Sequence, residues 1–202
     1  MPEERGIISI CMDTPKSYCS FVNSLTNGQG RHHKIYHERY GFPIKKDNDL
    51  FGLLLLEINQ AGLSWDTILK KENNFRKAYS GFSVRKIAAY TSRDRRRLLS
   101  DAGIIRNRLK VDAAIHNAKI VLRLQKEHGS FRQWLDKQGT LSRNEWTALF
   151  KQTFRFVGGE IVKEFLMSSG YLPGAHDKKC KLYRRVLRSK PAWKKEHVYE
   201  TA

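Results

Sequence analysis

Glu57 stands in the run Leu53-Leu54-Leu55-Leu56-Glu57-Ile58-Asn59-Gln60. On a helix it shares a stripe with Leu53 and Leu54 instead of a polar face. A carboxylate so placed is paired, points out of the edge of the core, or lines a pocket. Burial without a partner disfavours its charged form and raises its pKa, so a ligand donor or a nearby cation is expected beside it. A second group with chemical potential is His176-x-x-x-Cys180, which on a helix or tight turn brings an imidazole and a thiolate within reach of one Zn2+. Two more ligands must come from elsewhere. Cys19 and His37 are the obvious pair, and they would staple the N-terminal segment to the C-terminal one; four unrelated residues are the alternative. Such a Cys2His2 site has no open position and is structural. The third group is the decapeptide 101–110, Asp-Ala-Gly-Ile-Ile-Arg-Asn-Arg-Leu-Lys. Gly103 is expected to supply a positive φ for a tight turn, with Ile104 seated on it. The next helix is expected to open with unpaired N–H groups that suit a phosphate. Arg106 and Arg108 are the nearest side chains for that phosphate; a purely structural glycine turn is the alternative.

These groups need elements to hold them. Residues 1–34 are polar, with little periodicity, and read as an irregular arm. From Asp47 the spacing becomes helical, with Leu50, Phe51, Leu53 to Leu56 and Ile58 apolar almost all round, a cap at Asp47 or Asn48 and a break at Gly62. That pattern predicts a central buried helix carrying Glu57. Ser64 caps a second helix ending near Gly81, Ser83 opens a short one through Tyr90, and another spans 92–100. A long helix is predicted over 106–128, stopped by Gly129, followed by helices over 130–137, 142–152 and 159–169, with Ser130 and Ser142 as caps and Gly170 as a stop. No alternating run of strand length competes, so the fold is expected to be all-α.

The chain of 202 residues, 40% hydrophobic, can bury one core. Its net charge of +18 fits a polyanionic partner, most simply nucleic acid. Nine Lys or Arg against two Asp over 85–110 place the decapeptide in a positive region. The segment 181–195 holds seven Lys or Arg and no acid. It reads as a solvated or disordered tail, with a DNA-backbone contact as the other reading. No apolar stretch is long enough to span a membrane, and residues 1–6 lack a signal-peptide layout, so a soluble intracellular protein is expected. Cys11, Cys19 and Cys180, an odd and scattered set, argue for thiols or a metal site over a disulfide framework.

Five motifs in one order resemble the bacterial 3-methyladenine DNA glycosylase I family, a branch of the helix-hairpin-helix DNA glycosylases. They are Tyr36-His37-Glu38-x-Tyr40-Gly41, Glu57-x-x-Gln60-Ala61-Gly62-Leu63-Ser64-Trp65, Asp101-Ala102-Gly103-Ile104-Ile105-Arg106, Phe154-x-Phe156-Val157-Gly158 and His176-x-x-x-Cys180. The resemblance covers about Cys19 to Cys180. It implies an N-terminal arm over 1–18, a glycosylase domain over 19–180 and a basic tail over 181–202. It also implies an all-α helix-hairpin-helix fold with one structural zinc on Cys19, His37, His176 and Cys180, joining the N- and C-terminal segments. By the same resemblance, Glu57 is the catalytic group and accepts hydrogen bonds from the amine side of the adenine. Tyr36, Trp65 and Tyr40 join it around the base, and Gly103, Ile104, Arg106 and Arg108 meet the DNA backbone. The activity implied is monofunctional excision of 3-methyladenine from double-stranded DNA by a monomer in the bacterial cytoplasm, associated with the nucleoid.

The sequence departs from that family in places. The alignment requires an insertion around Asn27 to Arg31, which leaves Cys11 as the substitute for Cys19. Tyr40 stands where the family commonly has tryptophan, and Ile58-Asn59 replaces Gly-Gln. A further pocket aromatic expected in the arm has no clear counterpart, His33 being nearest. A non-enzymatic DNA-binding protein of the same fold, and a basic zinc-stabilised RNA-binding protein, are the competing readings.

Overall fold

The computed structural model describes residues 17–26 and 29–194. Among these, every regular element is a helix. The chain runs through α1 (Tyr18–Ser24), α2 (Arg31–Arg39), α3 (Asp47–Gln60), α4 (Trp65–Ala78), α5 (Val84–Ala88), α6 (Ser92–Ser100), α7 (Arg108–His128), α8 (Phe131–Lys137), α9 (Arg143–Thr153), α10 (Gly159–Ser168) and α11 (Tyr183–Arg188).

Helix α3 is the axis of the molecule. All residues from Leu50 to Asn59 are buried, as a helix apolar on every side requires. It packs against α4, α7, α8 and α10. Around it Phe75, Val111, Val121, Phe131, Phe150 and Phe165 close the core. Each fully buried side chain of this size contributes about 1.5–3 kcal/mol relative to exposure.

Asp47 and Asn48 lie near the start of α3, but Lys46 is its cap and their side chains cap other helices. Asp47 accepts from the backbone N–H groups of Phe131 and Arg132 and from Gln125 Nε2, so it fixes the start of α8. Asn48 Oδ1 accepts from Val84 N–H, at the start of α5, at 3.0 Å. The long helix begins at Arg108, two residues later than its apolar spacing suggests, because Asn107 is in extended conformation and its side chain accepts from Lys110 N–H.

Two expectations fail at the ends of the described chain. The supposed irregular arm contains α1, with a capping box at Ser17, and α2. Both are short and polar, and they are stabilised by docking, not by a continuous apolar stripe. The basic segment after Cys180 is not a solvated tail as far as Trp193: Leu182 and Val186 are buried, and Trp193 N–H donates to the Gly170 carbonyl.

Candidate functional site: an acidic aromatic pocket beside a Cys/His cluster

The C-terminal half of α3 delivers Glu57 to a pocket of about 420 Å3, also lined by Tyr18, Tyr36, Tyr40, Trp65 and Glu164. Helix α2 supplies Tyr36, and Tyr40 is its C-terminal cap, with its N–H donating to the Tyr36 carbonyl. Helix α4 opens with Trp65, capped by Ser64, whose side chain accepts from Thr67 N–H. The Tyr36 ring meets Trp65 edge-on at 5.0 Å and Tyr40 at 5.4 Å, making a continuous aromatic wall. The structure thus brings together all four residues expected around a base, Tyr36, Tyr40, Glu57 and Trp65.

Polar contacts hold this wall. The Tyr36 and Ser168 hydroxyls lie 2.7 Å apart, and the Tyr40 hydroxyl donates to Glu164 Oε2 at 3.0 Å. Burial first, and the Glu164 charge second, push the Glu57 carboxyl well above the usual carboxylate range, with the Ser168 hydroxyl pulling it back. The cation expected beside Glu57 is not there: among the described residues, no lysine or arginine lines this pocket. The compensating positive charge is therefore left for a ligand to bring. A second cavity, of about 320 Å3, lies across the Tyr36–Tyr40 wall. Arg39 and Arg76 line it together with Glu72 and Asp49, their ion-pair partners, so its carboxylates meet cations within the cavity.

Sequence reasoning missed Tyr18 and Glu164. Tyr18, on the first turn of α1, is the pocket aromatic contributed by the arm, with its ring 5.8 Å from Tyr40 and 6.0 Å from Tyr36. His33 is not in the lining; it stands behind Tyr18 and bonds its hydroxyl. A docked helix in the arm was the signal, and its polar composition hid it. Leu63 is exposed on the loop that joins the helices of Glu57 and Trp65.

Next to the wall, Cys19, His37, His176 and Cys180 form a buried cluster. Its four sulfur-to-nitrogen contacts measure 3.3, 3.4, 3.7 and 3.8 Å. A tetrahedral zinc with ordinary Zn–S and Zn–N bonds sets such edges at about 3.5 Å, so the donor set fits that ion. His176 Nε2 donates to the Tyr40 carbonyl at 2.7 Å, which leaves Nδ1 with its lone pair towards the sulfurs. Burial pushes the Cys19 thiol up to about 11, a penalty that a bound dication reverses. Cys19 thus completes the cluster, while Cys11 lies outside the described residues.

The segment between α6 and α7 carries Gly103, Ile104, Arg106 and Arg108. Gly103 does not have the positive φ anticipated for it. Its requirement is for space: a Cβ there would lie 2.9 Å from Asp101 Oδ1, which accepts the Gly103 N–H at 2.7 Å. That N–H is engaged within the turn, and Asn107 engages the Lys110 N–H, so the next helix opens with fewer unpaired donors than expected. Ile104 is buried in the core, while Arg106 and Arg108 are exposed. The segment is tied to both pocket helices. Lys71 and Asn74 of α4 donate to the Ala102 and Gly103 carbonyls, and buried Lys110 donates to the Asn59 and Ala61 carbonyls at the end of α3.

The chain is similar to known proteins. The family model described as methyladenine glycosylase matches residues 26–147. DNA-3-methyladenine glycosylase 1 of Escherichia coli K12 is 35% identical over 155 residues, covering 67% of this chain and 83% of its own. DNA-3-methyladenine glycosylase of Haemophilus influenzae is 32% identical over 155 residues, covering 67% of this chain and 84% of its own. Among solved structures, 3-methyladenine DNA glycosylase I from Staphylococcus aureus, determined to explain 3-methyladenine recognition, superposes with a TM-score of 0.69 at 30% identity. It covers 84% of this chain and 95% of its own.

Proposed function

This chain belongs to the methyladenine glycosylase family, and from that membership we propose that it excises 3-methyladenine from alkylated double-stranded DNA. It is a hydrolase that flips the damaged nucleotide, cleaves its N-glycosidic bond and leaves the strand intact. The observation that carries this reading is Glu57: a buried carboxylate, faced by aromatic rings and, among the described residues, by no cation.

Methylation at N3 makes the adenine a cation, so its glycosidic bond is already weak and the leaving group needs no strong acid. Selection is the remaining task. The faces of Tyr36 and Trp65 attract a cationic ring, and Glu57 accepts hydrogen bonds from its amine side, together about one to a few kcal/mol in favour of the charged base. Bringing a cation beside Glu57 returns the carboxylate to its ionised form, so binding and deprotonation of Glu57 reinforce one another. Water then attacks C1′ of the sugar as the base departs.

Flipping a nucleotide out of the stack costs about a few kcal/mol. Arg106 and Arg108, with the turn at Gly103 and Ile104, hold the phosphate backbone beside the pocket and offset that cost. Cys19, His37, His176 and Cys180 hold one zinc ion, which supplies charge neutralisation and a staple between the terminal segments. The His176 bond to the Tyr40 carbonyl carries that rigidity to the aromatic wall.

Incubation with methylated duplex DNA tests the proposal. Free 3-methyladenine should appear in the supernatant, leaving abasic but unbroken strands. A protein that binds the duplex and releases no base would be a DNA-binding module only.

A further inference from the structure

Behind Tyr18 lies a chain of polar contacts that the excision reaction does not use. The Tyr18 hydroxyl is 3.0 Å from His33 Nδ1, and its only other acceptor among the described residues is the His33 carbonyl at 3.4 Å. On the far side of the ring, His33 Nε2 lies 3.3 Å from Asp66 Oδ1, which is also 2.6 Å from His32 Nε2. Lys70 holds the other oxygen, Asp66 Oδ2, at 2.7 Å.

The direction of every proton in this chain follows from Asp66. Its bonds to Lys70 and His32 hold its carboxyl down at about 2, so it is ionised and can only accept. His33 is neutral at physiological pH, because burial and the adjacent His32 lower its pKa. A neutral imidazole facing a carboxylate at Nε2 keeps its proton there, which leaves Nδ1 as an acceptor. Tyr18 must then donate to His33. Tyr18 lines the pocket, and with its proton engaged by His33 it has none to give a bound base.

We propose that His33 and Asp66 are positioning residues for Tyr18: they make it an acceptor-only group that favours an amine-bearing base edge, as in 3-methyladenine, over a carbonyl-bearing one, as in 3-methylguanine. The proposal rests on the glycosylase reading for its substrate, although the relay itself does not.

The first test is the tautomer of His33 in the wild-type protein, read by long-range 15N–1H NMR. A proton on Nε2 is expected; a proton on Nδ1 would overturn the relay. The second test measures the ratio of 3-methyladenine to 3-methylguanine released from methylated duplex DNA. His33→Phe keeps a ring against Tyr18 and Phe21 but offers no acceptor, so the ratio should fall about tenfold, the size of one hydrogen bond. Asp66→Asn should move it the same way and serves as the second variant should His33→Phe fold poorly. In a Tyr18→Phe background, neither substitution should lower the ratio further. An unchanged ratio in the single variants, or a further fall in that background, would refute action through Tyr18. Absence of any released base from wild type would refute the glycosylase reading and the specificity role with it, whereas the Nδ1 tautomer alone would refute the relay.

Discussion

Two clusters of metal-ligating residues flank the aromatic wall, and their spacings separate their roles. In the Cys19/His37/His176/Cys180 cluster, nitrogen and sulfur stand 3.3 to 3.8 Å apart, the span of ligands arranged around an ion. In the His32/His33/Asp66 cluster, His32 Nε2 and Asp66 Oδ1 stand at 2.6 Å, the span of a shared proton. The first is buried and joins residues more than a hundred positions apart in sequence. The second includes a half-exposed carboxylate already engaged by Lys70. Residue type alone would class both as metal sites. Distance, burial and competing partners show that one is suited to a cation and the other to directing a proton.

The largest effect should come from breaking the first cluster. Cys180→Ser, or chelation of the wild type, removes the proposed metal site, whose occupancy would be worth on the order of 10 kcal/mol. A calorimetric scan should show the unfolding midpoint fall by more than about 10 °C. Asp66→Asn should change stability by less than about 1 kcal/mol, because its ion pairs are exposed to solvent. Equal losses from the two variants would erase the distinction drawn between the clusters.

An intermediate effect is expected from Lys110→Met. The substitution keeps the apolar stem but leaves the Asn59 and Ala61 carbonyls without their donor, destabilising the protein by about 1–3 kcal/mol in denaturant titration. Hydrogen exchange should rise around the end of α3.

Glu57 offers a contrast in sign. Its pKa is raised on folding, so its contribution is fully present below the unfolded value of about 4.3 and is lost as pH rises through the folded value. Glu57→Gln should therefore be more stable than wild type at pH 8, with the difference vanishing near pH 4. A variant less stable at pH 8 would show that Glu57 has a structural partner. The smallest change should follow Arg106→Ala or Arg108→Ala. Each should weaken duplex binding a few-fold and reduce the salt slope by about 1, with base selection intact.

Much of this was legible in the sequence, for physical reasons. A helix apolar on every side has to be central, and α3 is. Serines at 64, 83, 130 and 142 cap the helices they precede. Glu57 amid leucines signalled a carboxylate with unusual surroundings. The Cys and His types pointed to a cluster that the fold does assemble. What stayed hidden depends on contacts between distant elements. Helices α1 and α2 lack a long apolar stripe, so neither Tyr18 nor the Tyr18–His33 bond could be foreseen. Lys110 reads as one more cation of a basic helix, yet it is buried because two helix-end carbonyls receive it. Gly103 suggested a left-handed turn, although the close approach of Asp101 is what excludes a side chain there.

If Glu57 selects the charged base, single-turnover excision of 3-methyladenine by wild type and Glu57→Gln, at matched occupancy of the duplex, should show it most directly. Glu57→Gln should lose at least about tenfold in excision, the weight of one charge-assisted hydrogen bond, with duplex affinity unchanged. Equal excision by the two proteins would remove Glu57 from that role.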